Sequence, residues 1–138
     1  MQQTGERNDP TTGVTPYLTV NDGPAAMAFY TKAFGGRENF RMTADDGKRI
    51  LHGQIQINGA TVMVSDHFAE HSGGAPAPTP AAMTLHLPVE DADKWWNRAI
   101  GAGATVLQPL ADQFWGDRWG LMQDPFGHNW SVSAPIKK

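Results

Sequence analysis

The residues that could do chemistry are a small set of imidazole, phenol and amide side chains with strand-like spacing. His52, Gln54 and Gln56 alternate with Leu51, Ile55 and Ile57 within residues 49–57. Side chains of a strand point alternately to its two faces, so the first trio forms a polar face and the second an apolar one. An imidazole on such a face can act as a base or hydrogen-bond donor, with a pKa that its surroundings can move across neutrality. Equally, it can be a satisfied polar residue on a sheet. His86 offers the same two readings; it follows Thr84 by two residues and shares its face. Tyr17 can bind a ligand oxygen through its hydroxyl or serve as an aromatic wall. His52, His86 and Tyr17 are therefore the candidate catalytic groups. Trp115, before a glycine in a loop, could stack on a planar ligand. Arg118 is expected to pair with Asp117 at a hairpin; the alternative is contact with an anionic substrate. His128 follows a turn glycine and is expected to be structural. Trp95 and Trp96 read as helix core. No glycine-rich phosphate loop, Ser-His-Asp arrangement or HExxH motif is present.

These residues need a scaffold, and the sequence describes one twice. Residues 14–20 alternate as a strand, and Asn21-Asp22-Gly23-Pro24 then reads as a helix start, with a capping side chain and a proline in the first turn. Ala26, Phe29, Tyr30, Ala33 and Phe34 fall on one helical face, and Gly35-Gly36 ends the helix. Strands over 38–43, 49–57 and 60–65 follow, the last two joined by the tight turn Asn58-Gly59. A Gly-, Pro- and Ala-rich linker, residues 67–81, comes next. The order then repeats: a strand over 83–89, a helix opened by Glu90-Asp91 and faced by Ala92, Trp95, Trp96 and Ala99, then strands over 104–109, 119–123 and 129–133. Gly101 and Gly103 are expected to stop the second helix. Val20-Asn21-Asp22 lies over Val89-Glu90-Asp91, and Asn58-Gly59 over Phe126-Gly127. An internal repeat is a strong architectural signal. The expectation is an α+β fold of two tandem βαβββ modules, residues 14–66 and 82–133, forming an open, cup-shaped mixed barrel with helices outside. Residues 1–13 and 134–138 are expected to be tails, the first disordered.

Composition narrows the function classes. The chain has 138 residues, enough for one domain with a core of its own. Its net charge of −3 with scattered Lys and Arg points to neither nucleic acid nor a membrane surface. No apolar run approaches the roughly 20 residues of a membrane span, and the polar start lacks a signal-peptide core. Cysteine is absent, which removes disulfide, thiol and Cys-zinc chemistry and fits a cytoplasmic location.

The paired modules, Phe29-Tyr30-Thr31-Lys32-Ala33-Phe34-Gly35 and Asp124-Pro125-Phe126-Gly127-His128 together resemble the glyoxalase/bleomycin-resistance/dioxygenase (vicinal oxygen chelate) superfamily. Val14-Thr15-Pro16-Tyr17-Leu18, Ile50-Leu51-His52-Gly53, Val62-Met63-Val64-Ser65-Asp66 and residues 114–120 (FWGDRWG) resemble its PhnB-like branch. The resemblance spans residues 14–133 and implies the two-module open barrel, often in a homodimer. It implies no single reaction, since fold does not settle function.

Metal-dependent members of that family take a ligand from the first and last strand of each module, usually His, Gln or Glu. The resemblance places Thr15, Met63, Thr84 and Ser131 there. Three hydroxyls and a thioether are a poor set for Zn, Ni, Fe or Mn. No cofactor is expected, and a divalent metal, including one held by His52 and His86, is disfavoured. The expected function is binding of a small molecule by Thr15, Tyr17, His52, Gln54, Met63, Thr84, His86, Trp115, Arg118 and Ser131. The alternative is a lyase or isomerase of an oxygen-rich metabolite using His52, His86 and Tyr17.

Overall fold

The computed structural model describes residues 1–77 and 82–137. The last four residues of the expected linker, and residue 138 of the expected C-terminal tail, lie outside the described residues. The elements run β1 (Gln2–Gly5), β2 (Tyr17–Val20), α1 (Gly23–Phe34), β3 (Arg37–Thr43), β4 (Ile50–Ile57), β5 (Ala60–Asp66), a 3-10 turn (Ala69–His71), β6 (Thr84–Pro88), α2 (Ala92–Ala102), β7 (Thr105–Asp112), β8 (Asp117–Gln123) and β9 (Asn129–Pro135). The fold is α+β, with two mixed, open sheets and two helices. Among the described residues, no helix is long and apolar enough to cross a membrane.

Two compact units result, Met1–Thr31 with Gly35–Pro78, and Lys32–Phe34 with Thr79–Lys138. The first holds a sheet of order β1-β3-β4-β5-β2, in which β2 runs parallel to β5. The second holds β6-β9-β8-β7, in which β6 runs parallel to β9. In each, a strand, a helix and three antiparallel strands bring the last strand beside the first. A parallel pairing cannot be closed by a tight turn, so the intervening helix is the crossover the topology requires.

The helices form where capping and periodicity coincide. Asp22 accepts from the Ala25 N–H at the start of α1, and Asp91 from the Lys94 N–H at the start of α2. The helices end at Gly35 and Gly103; Gly101 lies inside α2 rather than ending it. Ala26, Met27, Phe29, Tyr30, Ala33 and Phe34 are all buried. Each large side chain among them contributes about 1.5–3 kcal/mol by leaving water. In α2, Ala92, Trp96 and Ala99 are buried, while Trp95 is half-buried beneath the Arg98 guanidinium.

Three local features depart from the sequence reading. The sequence predicts a disordered tail over 1–13, yet Gln2–Gly5 pairs antiparallel with β3 from Gln2↔Thr43 to Gly5↔Phe40. All four β1 residues are exposed, so the backbone ladder holds the strand and hydropathy gives no sign of it. Gly5 is required there: at φ 81°, an added Cβ would stand 2.1 Å from the Asn39 carbonyl oxygen. Second, the alternation puts Leu51 on the apolar face of β4, but Ile50 is buried and Leu51 is 36% exposed. The register steps from Met42↔His52 to Thr43↔Ile50, an extra residue in β4 that reverses the alternation at this end. Third, the first strand begins at Tyr17, leaving Val14, Thr15 and Pro16 ahead of it.

The buried Asp66 carboxylate ties the start of α1 to the start of β4. It accepts from the Gly23 N–H at 2.8 Å and the Ile50 N–H at 2.6 Å. Gly23 lies so close that a Cβ would sit 2.3 Å from Asp66 Oδ2. Asp66→Ala strands two buried donors, each costing about 1–3 kcal/mol. Urea denaturation of that variant should show a loss of about 2 kcal/mol or more, with a smaller loss for Asp66→Asn; an unchanged midpoint for Asp66→Ala would refute this role.

Candidate functional site

Strand register assembles one row of side chains across the first sheet. Gln54 lies opposite Met63 on β5, and Met63 opposite Tyr17 on β2. Opposed residues share a face, so an amide, a thioether and a phenol stand side by side. His52, two positions before Gln54 on β4, joins them. Its Nδ1 is 2.8 Å from Tyr17 Oη, with ring centroids 5.4 Å apart. The Phe40 ring flanks the imidazole at 6.0 Å. His52 is 7% exposed and Gln54 fully buried, whereas Tyr17 is 53% exposed. The pair thus has a buried end and an open end.

The segment after β1 closes the buried end. The Asn8 N–H donates to Gln54 Oε1 at 2.8 Å, and Gln54 Nε2 donates to Asp9 Oδ1 at 2.6 Å. Asn39 Nδ2 donates to both Gln54 Oε1 and the Glu6 carbonyl. Arg7 Nε bonds both Asp9 oxygens, at 2.9 and 3.0 Å. Gln54 Nε2 also lies 3.1 Å from His52 Nε2. Sequence reasoning missed Arg7, Asn8, Asp9 and Asn39. The first three lie in a polar stretch with no periodicity, and only their pairing in space gives them a role.

Electrostatics follow from this enclosure. Burial pushes the His52 pKa below that of a free histidine; the nearby Arg7 charge acts the same way and Asp9 opposes it. Burial raises the Tyr17 phenol. The hydrogen bond from Arg7 leads the effects that hold Asp9 below the usual carboxylate range. At neutral pH the site is a neutral imidazole, a protonated phenol and an ionised Asp9.

The second sheet builds the equivalent row from different residues. Leu121 lies opposite Ser131, and Ser131 opposite His86. His86 Nδ1 is 2.6 Å from Ser131 Oγ, and His86 Nε2 is 3.0 Å from Ser133 Oγ. Each hydroxyl can donate or accept. Thr84 is exposed at the head of β6. Trp115 is 50% exposed and its ring stands between Phe114 and Trp119, at 5.1 and 6.1 Å. Arg118 does not pair with Asp117 as expected. Its guanidinium grips Asp93 with two nitrogens, both at 3.0 Å, and reaches Asp112 at 3.1 Å. Strand geometry explains the change: Arg118 is directly opposite Asp112 on β7. His128 is buried beside Asp124, whose carboxylate accepts from the Phe126 and His128 backbone N–H groups and the Trp130 indole.

The four positions where the resemblance implies metal ligands do not fit a divalent transition ion. Thr15 and Met63 are half-buried in the first unit; in the second, Thr84 is exposed and Ser131 Oγ is engaged by His86. Neutral hydroxyls and a thioether supply no charge to offset the ion's desolvation. Among the described residues, no cluster of three or more His, Asp or Glu is arranged to hold a metal.

Residues 11–132 match the family model described as Glyoxalase/Bleomycin resistance protein/Dioxygenase superfamily. An uncharacterized protein of Mycobacterium bovis is 43% identical over 130 residues, covering 91% of this chain and 84% of the relative. The structure of TioX from Micromonospora sp. ML1 is similar at TM-score 0.68 and 28% identity, over 92% of this chain and 98% of that one. A Bacillus cereus structure described as a putative 3-demethylubiquinone-9 3-methyltransferase, PhnB protein, shares the fold at TM-score 0.71 and 22% identity, over 89% and 99% of the two chains.

Neutral, buried imidazoles make stability pH-dependent. His52 and His128 both have pKa values lowered by burial, so below the 6.5 of a free histidine the unfolded chain takes up protons first. Stability should be flat above that pH with respect to these groups and should fall as the pH drops through it. Urea midpoints between pH 7.5 and 5 should fall less steeply for His52→Gln than for the parent. Identical slopes would show that His52 is not held neutral.

Proposed function

The chain belongs to the Glyoxalase/Bleomycin resistance protein/Dioxygenase superfamily, and from that premise we propose that it binds a small molecule on the polar face of its first sheet without the divalent ion that many relatives use. One observation carries this reading: a buried neutral imidazole, His52, hydrogen-bonded at 2.8 Å to a phenol, Tyr17, that is itself more than half open. Ligand sites commonly combine a few fixed polar groups with aromatic and apolar walls; here Phe40 and Met63 supply the walls. Thr15, just ahead of β2, extends the same reading. His86 with Ser131, and separately Trp115, are the ligand-facing candidates of the second unit, whereas Arg118 is committed to two carboxylates.

Within the superfamily we assign the chain to the PhnB-like branch. The support is Val14-Thr15-Pro16-Tyr17-Leu18, the 114–120 stretch, and the shared fold of the Bacillus cereus protein. A cytoplasmic homodimer is the state we assign it, on the lack of cysteine and on the resemblance. The Tyr17–His52 pair also favours a second reading, proton transfer in a lyase or isomerase, with His52 as base and Tyr17 as acid.

Metal analysis of the purified full chain, combined with thermal unfolding, tests the first reading. We expect less than stoichiometric divalent metal and no shift of Tm with chelator. A small molecule bound at this face, present at about 100 times its Kd, should stabilise the fold by about 2.7 kcal/mol, and Tyr17→Phe should reduce that gain. One equivalent of tightly held divalent ion whose removal lowers Tm would contradict the proposal.

A further inference from the structure

The partners of His52 determine which of its nitrogens carries the proton, and with it what the site can bind. A backbone N–H can only donate, so the Gln54 atom facing Asn8 at 2.8 Å is the amide oxygen. An ionised carboxylate can only accept, so the Gln54 atom facing Asp9 at 2.6 Å is the amide nitrogen. Asn39 Nδ2, a donor, agrees by lying 3.1 Å from the oxygen. The amide orientation is therefore fixed by chemistry. Its NH2 group has two hydrogens; one serves Asp9, and the other faces His52 Nε2 at 3.1 Å. Two N–H groups cannot bond each other, so His52 Nε2 is the acceptor. The single proton of the neutral ring is on Nδ1, and Nδ1–H donates to Tyr17 Oη at 2.8 Å. Tyr17 is thereby an acceptor within the network, and its own O–H is left to donate outward from a ring that is 53% exposed.

We propose that Gln54 is a positioning residue that locks this relay in one direction, making Tyr17 a hydrogen-bond donor selective for a ligand bearing an accepting oxygen, of the carbonyl or carboxylate kind. This rests on the reading of the first sheet's polar face as a ligand site. Charge does not make the selection: Arg7 and Asp9 form a closed ion pair beside the row. The selection comes from hydrogen-bond polarity. The second unit lacks it, because the place of Gln54 is taken by Leu121 and the two serine hydroxyls around His86 can each point either way.

Two measurements on the full chain test the proposal. Long-range proton–nitrogen NMR of histidine-labelled protein, with no ligand present, reads the tautomer directly. His52 should be the Nδ1–H form, opposite to that favoured by free histidine in water, and Gln54→Glu should convert it to the Nε2–H or doubly protonated form. An Nε2–H ring in the parent protein overturns the relay, whatever the variant does. The second measurement titrates two probes of one skeleton: acetophenone, which only accepts hydrogen bonds, and the 1-phenylethylammonium ion, which only donates. Acetophenone should perturb the Tyr17 and His52 signals and bind roughly two- to tenfold more weakly to Tyr17→Phe, the range expected for one lost hydrogen bond. Equal binding of the two probes, or no effect of Tyr17→Phe, overturns the selectivity. An Nδ1–H tautomer with neither probe bound overturns the ligand site while leaving the relay standing.

Discussion

A carboxamide buried beyond the reach of water must find partners for both its oxygen and its nitrogen, and Gln54 is such a group. It sits at the centre of the first sheet, where its oxygen takes hydrogens from Asn8 and Asn39 and its nitrogen gives them to Asp9 and His52. Much else follows from this requirement. It holds the N-terminal segment against the sheet, sets the ring of His52, and through that ring sets the phenol of Tyr17. A hydrocarbon at this place would need none of these partners.

The two units show how one topology can carry two chemistries. In both, the parallel pairing of first and last strand puts one residue of each opposite the other: Tyr17 with Met63, His86 with Ser131. In both, the neighbouring antiparallel strand adds a third member, Gln54 or Leu121. Backbone register is the shared constraint, and the side chains filling it differ. Oxygen and sulfur groups without charge occupy the places where the resemblance implies metal ligands. A hydrogen-bonding site discriminates by leaving mismatched partners unsatisfied, which is costly in a desolvated setting.

Much of this was legible in the sequence where a local signal coincided with a global need. Asp22 and Asp91 cap helices, Asn58-Gly59 turns a hairpin, and the face Ala26-Phe29-Tyr30-Ala33-Phe34 is buried as its spacing indicates. His52 and Gln54 emerge on one polar face, as alternation requires. Other features were hidden for physical reasons. Strand β1 carries no apolar side chain and is held by its backbone, so periodicity is silent about it. The extra residue at Leu51 is decided by pairing with β3, which no single-strand pattern records. Arg118 chooses Asp93, 25 residues away, and Asp112, its partner across the β7–β8 ladder, over its neighbour Asp117. Asp66 and Asp124 look like ordinary polar residues at strand ends, yet each gathers backbone donors in a buried place.

The N-terminal segment is a built part of the first unit and closes over Gln54. Amide hydrogen exchange at Asn8 probes that closure most directly, because its N–H is the donor that orients the Gln54 amide. Protection of the Asn8 amide approaching that of the β4 amides, lost in Gln54→Leu, is the predicted result. Exchange at the rate of a free chain in the parent protein would contradict the account.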